Sequence, residues 1–171
     1  RYFSSAASDV YKRQVNIHQK PSSIELANIA IGVAQNAKKL GYIPKVAILS
    51  YSNFGNPPGS NTQTINECLK ILEDKKVSFE FDGEMTAEVA LDYNLIKENY
   101  PFCKLSGPAN VLIMPDLYSA NISFKLLQKM ENLSVIGPIM IGGNNPFQIV
   151  QMGASVSDIV NSACISTYNS L

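Results

Sequence analysis

Apolar positions along the chain alternate between two patterns. From residue 23 to residue 40, Ile24, Ala27, Ile31 and Ala34 recur at helical spacing, preceded by Ser22 with Glu25 three positions on. This predicts a helix from about Ser23 to Leu40, opened by a capping box and stopped by Gly41. Lys45 to Tyr51 is instead a continuous apolar run, as suits a parallel strand buried on both faces. A loop rich in turn formers, Ser52 to Ser60, leads to a helix carrying Ile65, Cys68, Leu69 and Leu72. Val77 to Phe81 predicts a short strand ending in Asp82-Gly83-Glu84-Met85, followed by helices over Thr86 to Leu91 and Asn94 to Asn99. Pro101 closes the second of these, and Asn110 to Met114 predicts the next strand. The junction Pro115 to Asn121 then enters a helix with Ile122, Lys125, Leu126 and Lys129. The final segment, from Val135, predicts a buried strand, a Gly-Gly-Asn-Asn-Pro loop and an amphipathic helix. Ser155 is that helix's N-cap candidate, Asp158 stands three residues on, and Val156, Ile159, Val160 and Ala163 share one face. Strand and helix therefore alternate, which predicts an α/β fold: a mostly parallel sheet with helices on both faces.

Charge and composition narrow the chemistry. The chain has 14 basic and 14 acidic side chains, so nothing draws it generally toward nucleic acid or an anionic membrane. Arginine occurs only at Arg1 and Arg13, leaving the rest of the chain without the bidentate fork that suits phosphate. Those two arginines lie in residues 1–14, which show no periodicity and read as an unstructured tail foreign to the rest. Cys68, Cys103 and Cys164 are odd in number and widely spaced, which predicts reduced, mostly buried thiols in a cytoplasmic protein. His18 is the sole histidine, so a metal site or a Ser/His/Asp triad has little to build on, and no metal ligands are assigned. No run approaches the roughly 20 apolar residues of a membrane span.

Ligand loops are expected where open α/β sheets place them, at the carboxyl ends of strands. The loop after the second predicted element offers Ser50, Ser52, Asn53 and Gly55, with a plain βα turn as the alternative. Asp82 and Glu84 have the spacing of an acid/base pair, yet acidic residues ahead of a helix also stabilise its dipole. Asn121 either meets a ligand at its junction or caps local backbone. No Gly-Lys-Ser/Thr follows any glycine loop, which excludes a P-loop.

Five ordered blocks carry a resemblance: Val46 to Gly55, Phe81 to Leu91, Leu112 to Leu117 with Ala120-Asn121-Ile122, Ile136 to Ile139, and Gly153 to Asn161. Together they resemble the phosphate acetyltransferase and butyryltransferase family from about residue 16 onward. Ser-Asn-Phe-Gly, Asp-Gly-Glu-Met and Ala-Asn-Ile look most like the C-terminal transferase-like domain of the large bacterial NADP-dependent malic enzymes.

The resemblance implies an isocitrate/isopropylmalate dehydrogenase-like fold of two α/β subdomains with a cleft between them. Residues 15–140 would form the second subdomain, and residues 141–171 a return segment and helix belonging to a largely missing first one. It also implies acetyl-CoA or a related acyl-CoA as ligand, bound through Ser50, Ser52, Asn53, Gly55, Asp82, Glu84, Asn121, Gly137, Pro138, Gly142, Gln151 and Asp158. Where active transferases carry a Ser-Arg pair, this chain has Gln151 and Met152, while Asp158 keeps the family's aspartate. Met152 cannot stabilise phosphate charge, so the resemblance implies a non-catalytic, acyl-CoA-sensing, oligomer-forming domain. NADP and a divalent metal would belong to a missing N-terminal malic enzyme region, a partner of this domain. An active phosphate acetyl/butyryltransferase is the alternative, and Asp158 also has a purely structural explanation as the partner of Ser155 in a capping box.

Overall fold

The computed structural model describes residues 2–4, 19–57, 62–130, 136–141, 147–150 and 152–169. Four strands, β1 (Tyr2–Ser4), β2 (Lys45–Leu49), β3 (Glu80–Met85) and β4 (Val111–Ile113), form one parallel sheet in the order β1-β4-β2-β3. Val46 lies opposite Val111 and Ile48 opposite Ile113, while Lys45 pairs with Glu80 and Ala47 with Asp82.

Alternation along the strands splits the core into two layers. Val46, Ile48, Val111 and Ile113 point to a layer filled by α1 (Ser23–Lys39) and α2 (Gln63–Asp74), through Leu26, Ala30, Val33, Ile65, Cys68 and Leu72. Ala47, Leu49 and Leu112 point the other way, onto α3 (Ala87–Leu91) and α4 (Tyr93–Asn99), where Val89, Ala90 and Ile96 pack with Met85 and Leu105. The expected α/β sheet with helices on both faces is thus present. The capping box of α1 forms as expected: Ser22 Oγ accepts from Glu25 N, and a Glu25 carboxylate oxygen accepts from Ser22 N at 2.7 Å.

Asn110 sets the register between the central strands. Its carboxamide oxygen accepts from Lys45 N at 2.8 Å, and its amide donates to the Ile43 carbonyl at 2.8 Å.

Several elements depart from expectation. Tyr2–Ser4, within the stretch expected to be an unstructured tail, pairs with β4 as an edge strand. β3 begins at Glu80 rather than Val77 and runs through Asp82, Gly83, Glu84 and Met85. Val77 and Phe79 pack against the α1/α2 layer outside the ladder, so their apolar character reports burial and not pairing. Residues 136–141 are irregular, with Ile136 46% exposed, where a buried strand was expected. Pro138 has no N–H to give a ladder, and Ile141 instead packs against the α1 layer. The last two helices are α5 (Leu117–Lys129) and α6 (Val156–Asn169). The expected apolar face of α6 stands in solvent, with Val156 at 78% and Ile159 at 51% exposure. One tie to the rest runs from the Tyr168 hydroxyl to the Lys39 carbonyl at 2.5 Å.

Candidate functional site

α2, which follows β2, packs toward α1 and β3, while α5, which follows β4, lies against β1. The chain thus diverges after two neighbouring parallel strands, and a crevice opens at their carboxyl ends. A cavity of about 590 Å³ occupies this place. Leu49, Ser50 and Tyr51 line it from the end of β2, Met114 and Pro115 from the end of β4, and Thr64 from the first turn of α2. Asp116, Ser119 and Ser123, from the start of α5, and Lys20, ahead of α1, add further polar groups to the lining.

The loop after β2 is fixed by one buried carboxylate. Glu84 is 1% exposed; its Oε1 accepts from the Ser52 hydroxyl and, at 3.3 Å, from Gly55 N. Its main-chain oxygen accepts from Phe54 N at 2.8 Å. Gly55, at φ +88°, supplies the left-handed turn that brings its N–H to the carboxylate. Asn53 ties the loop onward: its Oδ1 accepts from Thr86 N at 2.7 Å, at the N-terminus of α3. Ser50 Oγ lies 3.3 Å from Ser52 Oγ, so a line of polar groups runs from the cavity wall inward to Glu84. Glu84 Oε2 is buried and lacks a hydrogen-bond partner among the described residues.

The structure therefore brings Ser50, Ser52, Asn53, Gly55 and Glu84 together, with Ser50 on the cavity wall and the others behind it. Asp82 and Glu84 have separate partners. Both lie within β3, and Thr86 provides the cap of α3. Asp82 accepts from Gly83 N and from Lys104 N at 2.7 Å, anchoring the 104 loop instead.

Asn121 is exposed within α5, not at the junction, because the helix starts at Leu117 with Asp116 as N-cap. Asp116 Oδ1 accepts from Ser119 N at 2.7 Å and from the Ser119 hydroxyl at 2.8 Å. Gly137 and Pro138 lie in the irregular segment, Gly137 close to Phe124 of α5, and neither lines the cavity. Gly142, Gln151, His18 and both arginines fall outside the described residues. Asp158 opens α6 in a capping box, its carboxylate accepting from Ser155 N at 2.9 Å and the Ser155 hydroxyl at 2.7 Å. Those two donors hold its pKa below the ordinary carboxylate value. Met152 is fully exposed. Among the site residues not anticipated are Thr64, Asp116 and Ser119. The strand-end rule pointed to the Pro115 to Asn121 junction, and Asp followed by Ser three residues on was the unread cap signal.

Burial pushes the Cys68 thiol up to about 12, and burial is also the main cause that raises Cys103 to about 11. The Ser106 N–H and hydroxyl hold Glu80 below its ordinary value. Among the described residues no group of three or more His, Cys, Asp or Glu is placed to hold a metal, and no helix is long and apolar enough to cross a membrane.

The family described as phosphate acetyl/butaryl transferase matches residues 9–167. The chain is 50% identical over 153 residues to an NADP-dependent malic enzyme of Rhizobium meliloti, covering 90% of this chain and 20% of that protein. It is 39% identical over 146 residues to a phosphate acetyltransferase of Helicobacter pylori, covering 85% of this chain and 28% of that one. A phosphotransacetylase from Streptococcus pyogenes superposes with a TM-score of 0.83 at 31% identity, over 90% of this chain and 47% of that structure. The chain thus spans well under two thirds of the length of these relatives.

Proposed function

This chain belongs to the phosphate acetyl/butaryl transferase family, and from that premise we propose that it is a C-terminal transferase-like segment of an NADP-dependent malic enzyme that binds acyl-CoA without transferring the acyl group. The parent protein would oxidatively decarboxylate malate to pyruvate in an N-terminal region that carries the NADP and divalent metal sites. This segment would sense acetyl-CoA or a related thioester and help assemble a homo-oligomer, in the cytoplasm.

The observation that carries the reading is the pairing of a built strand-end cavity with an unsuitable terminal motif. The loop behind the cavity wall is anchored, since Glu84 accepts from Ser52 and Gly55 through its side chain and from Phe54 through its main chain. Acyl transfer between coenzyme A and phosphate needs cations where charge develops on phosphate. Met152, where active family members carry arginine, offers a solvent-exposed thioether, and Asp158 is engaged as a helix cap. The higher identity to the malic enzyme, 50% against 39% for the acetyltransferase, points the same way.

A second reading, an active phosphate acetyl/butyryltransferase, is favoured by the retained Asp158. Titration of the protein as encoded with acetyl-CoA, beside an assay for acetyl phosphate formation and one for malate oxidation, separates the two. The expected result is acetyl-CoA binding that alters malate oxidation without acetyl phosphate turnover. Turnover with malate oxidation unmoved would overturn the first reading.

A further inference from the structure

We infer that Lys20 is a specificity-determining residue that discriminates by charge: it pairs with a phosphate group of the ligand, which, resting on the acyl-CoA reading, is a phosphate of the coenzyme. Lys20 lies outside every block that carries the family resemblance, the first of which begins at Val46. Among the described residues that line the cavity, Lys20 and Asp116 carry the charge, and the two are not equivalent. Asp116 Oδ1 is engaged in capping α5, accepting from Ser119 N at 2.7 Å and from the Ser119 hydroxyl at 2.8 Å. The Lys20 ammonium has no hydrogen-bond or ion-pair partner among the described residues.

The main chain on both sides of Lys20 is fixed. The Gln19 carbonyl accepts from Leu117 N at 3.1 Å, and Gln19 Oε1 accepts from the Tyr118 hydroxyl at 3.2 Å. Pro21 is buried, with its φ set by the ring, and Ser22 opens α1 through its capping box. Residues 19–22 thus bridge the first turns of α5 and α1 and hold a free cation at the cavity, so little main chain has to be ordered when a ligand arrives. The hydroxyls of Thr64 and Ser123 on the same lining can donate to further phosphate oxygens. A single ammonium is a point charge without the planar fork of arginine. It favours a phosphate that is charged in the ground state, and it does not replace the arginine missing at Met152, so binding without transfer is retained. The pantetheine part of an acyl-CoA is uncharged and gains nothing from Lys20.

Binding of acetyl-CoA, pantetheine and inorganic phosphate to the protein as encoded, measured by calorimetry for the unaltered chain and for Lys20→Gln, tests the inference. Loss of one partly screened charge pair predicts about three- to tenfold weaker binding of acetyl-CoA, with pantetheine unmoved and a smaller dependence of acetyl-CoA affinity on salt. Lys20→Arg, which keeps the charge, is expected to restore most of the affinity. The phosphate arm separates the two sources of this chemistry: a loss for inorganic phosphate alone assigns Lys20 to free phosphate and overturns the coenzyme assignment. Acetyl-CoA binding that Lys20→Gln leaves unmoved, or pantetheine binding that it weakens equally, overturns the inference while the acyl-CoA reading stands. An unaltered protein that does not bind acetyl-CoA overturns both.

Discussion

At the scale of single residues, the balance is set by buried polar groups and close approaches. The Ser52 hydroxyl is one of two donors to Glu84 Oε1, and the other carboxylate oxygen has no partner among the described residues. Ser52→Ala removes a charge-assisted hydrogen bond in the interior and is expected to cost about 2 kcal/mol, read as a lower urea midpoint. Gly83 has no such slack: a Cβ there would sit 2.8 Å from the main-chain oxygen of Ile48 on the neighbouring strand. Gly83→Ala must therefore shift β2 or β3 where their register already breaks between Ile48 and Leu49. It is expected to destabilise by about 1–3 kcal/mol, the range for overpacking, by the same measurement. The Cys68 thiol has an ordinary value of 9.0 and is raised to about 12 when folded. Between these values the unfolded chain has lost a proton that the folded chain keeps, so stability falls as pH rises through that window. The urea midpoint should drop more from about pH 8 to about pH 10.5 in the unaltered chain than in Cys68→Ala. Part of the candidate site was legible at this scale: the strand-end rule pointed to the loop after β2, where Ser50 lines the cavity and Ser52, Asn53, Gly55 and Glu84 meet behind it. The role of Glu84 was not, because its donors come from about 30 residues away in sequence and no local pattern reports them.

At the scale of elements, helices with strong caps were readable and strands with polar content were not. Ser22 with Glu25 and Ser155 with Asp158 gave α1 and α6, since both boxes are closed within one turn. β3 slid by three residues because Asp82 and Glu84 look like loop residues until their partners, Lys104 N, Ser52 and Gly55, are in place. The segment 136–141 reads as a strand by hydrophobicity, but Pro138 and the absence of a ladder partner among the described residues leave it irregular. Ser22→Ala breaks the α1 box and is expected to cost about 1 kcal/mol, seen as a lower thermal midpoint. For α6 the consequence is a pH dependence. Asp158 has a lowered folded pKa, so its contribution is present above the unfolded carboxylate value of 3.8 and is lost as pH falls below it. Amide exchange in the first turn of α6 should quicken below that pH, and Asp158→Ala should show the faster exchange at neutral pH as well.

At the scale of the whole molecule, two groups of elements differ in how they bury their apolar residues. The sheet with α1 to α4 has core residues at or near zero exposure. α5 and α6 instead leave Ile122, Leu126, Val156, Ile159 and Val160 more than half exposed. Large apolar side chains left in water in this number favour a covering contact. The relatives are longer, with the chain covering 47% of the S. pyogenes phosphotransacetylase, which supports the proposal that further chain of a two-subdomain domain covers this face. The prediction is concentration-dependent self-association of the isolated 171-residue chain, because the α6 face is then covered only by another copy. Light scattering coupled to size exclusion is expected to give a mass that rises with loading. Ile159→Lys with Val160→Glu, both at exposed positions of α6, should return it toward the 18.7 kDa monomer. A monomer at every concentration before substitution would mean that α6 repacks against the core, and would remove the argument for a covering subdomain.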